Sequence, residues 1–96
     1  MSDLTKLIAA AITAFQAIDA KYYQADINTK AALKRDRTKA ANAVLKLRDK
    51  QIELDTTINA ADITEMNKLA TEVKDGAVLQ VDFTKLIGIL AKYVPV

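Results

Sequence analysis

Turn-forming residues are the scarcest feature of this chain. Gly76, Gly88 and Pro95 are its only glycines and its only proline. A β protein of 96 residues would need several tight turns, and tight turns draw on Gly, Pro, Asn and Asp. Alanine, the best intrinsic helix former, occurs 17 times. The expected class is therefore all-α: a small elongated helical bundle of three to four helices with a long basic second helix, in a single domain over 1–96. The apolar share of 51% is that of a folded domain rather than a disordered chain.

Apolar spacing predicts four helices, at about 3–23, 29–55, 60–74 and 82–93. In the first, Leu4, Ile8, Ala11, Phe15, Ile18 and Tyr22 recur in alternating steps of four and three, the spacing of a packing seam. Ser2 is placed to cap it. A polar run around Asp26 and Asn28 marks its end, although no Gly or Pro enforces one, and a helix continuous through this point is the alternative. The second helix has a seam of Leu33, Ala40, Val44, Leu47, Gln51 and Leu54, followed by Ile58, with Ala41, Leu45 and Ile52 off it. At about 1.5 Å per residue it would be ~40 Å long. Thr57 or Asn59 caps the third helix, whose inward positions are Ile63, Met66, Leu69, Ala70 and Val73, and Gly76 terminates it. Ala77 to Val81 reads as a short connector. Asp82 then caps a fourth helix carrying Phe83, Leu86, Ile87, Leu90 and Val94, which Pro95 stops.

The residues most enzymes need are missing. There is no histidine and no cysteine, which removes the commonest general base, the thiolate nucleophile and the thiolate metal ligand. Ser2 is the only serine and has no base to activate it. No glycine-rich phosphate loop occurs. The carboxylate pairs Asp62 with Glu65 and Glu72 with Asp75 share helix faces but sit near helix ends, where charge is expected. Catalysis, cofactors, metals and a small-molecule substrate are not expected.

Charge is the informative anomaly. From Lys30 to Lys50 there are eight basic residues (Lys30, Lys34, Arg35, Arg37, Lys39, Lys46, Arg48 and Lys50) against Asp36 and Asp49, a net +6. From Gln51 to Asp82 seven acidic residues face Lys68 and Lys74, a net −5. Three arrangements would use this asymmetry. The basic and acidic helices pack against each other within one chain; they meet between copies; or the basic helix binds nucleic acid. Helical geometry sets Arg35, Lys39, Lys46 and Lys50 on one flank of the seam and Lys30, Lys34, Arg37 and Arg48 on the other, as in helix–helix packing. No aromatic lies in this segment to stack on bases.

These features point to a non-enzymatic interaction or assembly protein acting by protein–protein contacts, with a protein partner or further copies of itself. A nucleic-acid-binding module using the basic helix is the alternative. The alanine-, threonine- and aspartate-rich texture is similar in composition, not in matched residues, to many small phage and bacterial assembly proteins. The expected location is cytoplasmic or virion-associated. The apolar run Leu7–Ile18 is too short to span a bilayer, Asp3 spoils it as a secretory leader, and the basic helix lacks the large apolar anchors of a membrane-surface helix.

Overall fold

The computed structural model describes residues 2–50, 57–73 and 78–96. The described residues form four helices: α1 (Asp3–Gln24), α2 (Ile27–Asp49), α3 (Ala60–Glu72) and α4 (Leu79–Leu90). No strand occurs among the described residues. The molecule measures 42 × 24 × 16 Å, an elongated bundle as the helix lengths require.

Local capping sets the first three helix starts. The Ser2 hydroxyl accepts from the Thr5 amide at 3.1 Å, Asp26 Oδ1 from the Thr29 amide at 2.7 Å, and Asn59 Oδ1 from the Ala61 amide at 2.9 Å. Ala25 and Asp26 are both extended, so α1 and α2 are separate helices and the continuous alternative is excluded. Because Asp26 is the cap, α2 begins two residues earlier than the spacing predicts. Its described part is about 34 Å long at 1.5 Å per residue. Gln51, Ile52, Leu54 and Asp55 at its expected end, and Lys74, Asp75, Gly76 and Ala77 after α3, lie outside the described residues.

The fourth helix departs from expectation. It starts at Leu79, not after Asp82, and its N-cap, Val78, makes no side-chain cap. The residues read as a connector supply its first turn. Leu79, Phe83, Leu86 and Leu90 recur in steps of four, three and four, so one more turn extends the apolar face that packs on the core. Asp82 is carried inward by that extra turn and is only 1% exposed.

Direction follows from the contacts at each end. The Tyr22 hydroxyl donates to the Lys30 carbonyl, which makes α1 and α2 antiparallel. Lys46 Nζ donates to the Pro95 carbonyl, and Thr29 and Leu33 lie beside Val78 and Leu79, so α2 and α4 run parallel. Lys92 at the end of α4 reaches Asp62 at the start of α3. α1 packs against all three other helices and holds eight buried residues, the most of any helix. Ala10, Ala11 and Ala14 are among them, and their small side chains let neighbouring backbones come close. Leu7, Ile18, Leu47, Met66, Phe83, Leu86 and Leu90 are fully buried between the helices. Each large apolar side chain so removed from water contributes about 1.5–3 kcal/mol.

α2 and α3 each pack on α1 and α4, and they stand at opposite corners of the bundle. The basic and acidic helices therefore do not face each other within the chain. Of the three arrangements, the described residues do not show internal pairing of these two helices, because α1 and α4, the two most apolar helices, lie between them.

Candidate interaction surface

A corner position leaves α2 with one buried side. Leu33, Ala40, Ala43, Val44 and Leu47 form it. Opposite, Ala31, Lys34, Arg35, Thr38, Lys39 and Asn42 line a shallow depression of about 760 Å³, with Val96 on its edge. Lys34 and Arg35, expected on opposite flanks of the seam, share this outward face. The reason is that α2 meets its neighbours along a narrow strip, so the remaining arc is one surface rather than two flanks.

The eight basic residues have different fates. Arg37 is drawn inward: Nε donates to Asp19 Oδ1 at 2.5 Å and Nη2 to Oδ2 at 3.2 Å. Its guanidinium also lies 5.6 Å from the Tyr22 ring centroid and 5.2 Å from that of Tyr23. The hydrogen bonds that it donates to the Asp19 carboxylate raise the Arg37 pKa, so it is a permanent cation spent within the fold. Lys30 is half-buried, with Nζ 5.8 Å from the Tyr23 ring centroid. Lys46 Nζ donates to the Pro95 carbonyl at 3.0 Å, and Lys50 closes the helix as its C-cap. Lys34, Arg35, Lys39 and Arg48 are exposed and have no hydrogen bond or ion pair among the described residues.

The carboxylates of α3 line a different feature. Asp62, Glu65 and Glu72 share a groove of about 300 Å³ with Lys68, Lys85 and Lys92, over Leu69, Gly88 and Ile89. Its acidic and basic groups are equal in number, three of each, so the groove carries no net charge. Asp62 is buried, which alone would raise its pKa. Hydrogen bonds from Lys92 Nζ at 2.8 Å and from the Tyr93 hydroxyl outweigh burial and hold it below the usual carboxylate range. The Tyr93 hydroxyl in turn accepts from the Asn59 amide at 3.2 Å. Asp62 is thus a structural tie between the end of α4 and the start of α3.

Asp82 has the opposite environment. Its Oδ2 is buried with no hydrogen-bond partner among the described residues, and burial pushes its pKa up. Lys85 and Lys21 act against that rise, and Glu72 adds to it. Sequence reasoning missed this residue and the Arg37–Asp19 pair. The first was disguised by a capping pattern, and the second joins residues 18 apart with no local signal.

Among the described residues no three acidic or thiol groups come together in a way that would hold a metal ion, and no helix is long and apolar enough to cross a membrane. No protein-family model, curated protein or solved structure matches the chain.

Proposed function

We propose that this protein works by binding another protein, without chemistry of its own, and that the outer face of α2 is the contact surface. One observation carries the reading. Lys34, Arg35 and Lys39 project from a single outward face and have no ion pair among the described residues. Like charges held together cost stability unless a partner neutralises them, and such a face speeds the approach of a complementary surface. The protein would act as a structural or accessory component in the cytoplasm or on a virion, its partner another chain or a further copy.

Light scattering coupled to gel filtration, at low and high salt, tests this on protein purified without nuclease from its native extract. The expected result is a discrete protein assembly that high salt dissociates. A monomer at all concentrations, eluting alone at low salt, overturns it.

Nucleic acid is the second reading. Lys34, Arg35, Thr38, Lys39 and Asn42 are all residue types that contact phosphate oxygens, and they now share one face. It predicts co-eluting nucleic acid that salt strips away steeply.

A further inference from the structure

Charge alone would draw any polyanion to the outer face of α2, but the apolar residues set among the charges narrow the choice. Ile27 is 81% exposed and Leu45 is 45% exposed. Their spacing is about five full turns at 3.6 residues per turn, so they project in the same direction. Ala31, Lys34 and Thr38 lie within about 40° of that line at 100° per residue. From Ile27 to Leu45 the line runs about 27 Å at 1.5 Å per residue. Ala31 and Thr38 lie in the depression between its apolar ends together with Lys34 and Asn42, with Val96 at the side.

A phosphate backbone has nothing to set against an exposed isoleucine and leucine. A partner helix does: laid along a groove, it presents one apolar residue per turn, and small residues beneath it let the axes approach to about 8–10 Å. Its charge is set by the basic residues on the line and to one side of it. Lys34, Arg35 and Lys39 have no ion pair among the described residues. Among the described residues a second copy is a poor source of the complement, since Glu65 and Glu72 share their groove with Lys68, Lys85 and Lys92.

We infer that the outer face of α2 seats an acidic amphipathic helix of a different protein. The apolar seam of that helix lies along the line from Ile27 to Leu45, and its carboxylates face Lys34 on that line and Arg35 beside it. This rests on the reading of α2 as the contact face.

The test is fluorescence anisotropy with the full chain and three labelled probes. One is a peptide of about three heptads with a leucine seam flanked by glutamates. The second is the same composition shuffled to abolish the seam. The third is a DNA duplex of about 20 base pairs. The seam peptide is expected to bind at least about tenfold more tightly than either other probe. Leu45→Ser and Ile27→Ser, which leave charge unchanged, should each weaken it about fivefold, and Lys34→Gln about as much. Circular dichroism checks that each variant keeps its helix content. Equal binding of the shuffled peptide, or tighter binding of the duplex, overturns the inference. The α2 reading survives that result if Lys34→Gln still weakens whatever binds. If no probe binds and Lys34→Gln with Arg35→Gln leaves association in the native extract unchanged, both readings fall.

Discussion

Arg37 grips Asp19 side-on, Nε at 2.5 Å from one carboxylate oxygen and Nη2 at 3.2 Å from the other, and so fastens the middle of α2 to the last turns of α1. The pair is largely shielded, with 29% of the Arg37 side chain and 19% of the Asp19 side chain exposed, and the rings of Tyr22 and Tyr23 lie against the guanidinium. Planar two-point contact is specific to arginine.

Arg37→Ala is therefore expected to destabilise the fold by about 1–2 kcal/mol, more than an exposed ion pair would contribute. Arg37→Lys should recover less than half of that loss. Urea denaturation measures both. Equal stability of the lysine variant and the parent would refute the two-point role.

Asp82→Asn should stabilise the protein at neutral pH by about 1 kcal/mol, the lower range for relieving an unmatched buried polar group. The sign follows from linkage. Burial raises the folded-state pKa of Asp82 above its unfolded value, so the unfolded chain binds fewer protons between the two. The stability contribution is best below the unfolded value, falls as pH rises towards the raised folded value, and stays low above it. The advantage of Asp82→Asn should accordingly disappear in acid. Thermal melts of both proteins from neutral pH downward would reveal a constant difference if Asp82 is ordinary.

Asp62 responds in the opposite sense. Its folded pKa is lowered by Lys92 and Tyr93, so its contribution is present above the unfolded carboxylate value and is lost as pH falls through the lowered one. Tyr93→Phe removes one of the two side-chain donors to a buried carboxylate and should cost about 1–2 kcal/mol at neutral pH, with a smaller cost in acid. A pH-independent cost in chemical denaturation would point to packing alone.

Gly88 lies inside α4, and a Cβ built there meets nothing within 4 Å. Gly88→Ala is expected to stabilise the helix by about 0.5–1 kcal/mol through reduced backbone freedom in the unfolded chain. A drop in melting temperature instead would mean that the open groove above Leu69 serves a purpose that a methyl group obstructs.

Much of the architecture was legible in local patterns. The four-and-three steps of α1, the Ser2 and Asn59 caps and the lack of turn residues led to helices that the structure contains. The start of α4 was not, because two local signals competed. Asp82 has the chemistry of a cap, but Leu79 completes an apolar line with Phe83, Leu86 and Leu90, and burying that line outweighs a single cap hydrogen bond. The basic residues were legible as a group and not as a surface. Whether Arg37 serves the fold while Lys34, Arg35 and Lys39 face outward depends on which helix lies beside α2.

The sequence by itself determined the helical class, the basic character of the second helix and the lack of histidine and cysteine chemistry, because these rest on residue types and on spacing within a few turns. Only the tertiary structure decided which charges stay unpaired. Helix order in space is set by long-range burial, which places α1 at the centre and α2 and α3 at opposite corners. That placement keeps the two charged helices apart, ties Arg37 and Asp62 into the fold, and leaves Lys34, Arg35 and Lys39 on one outward face.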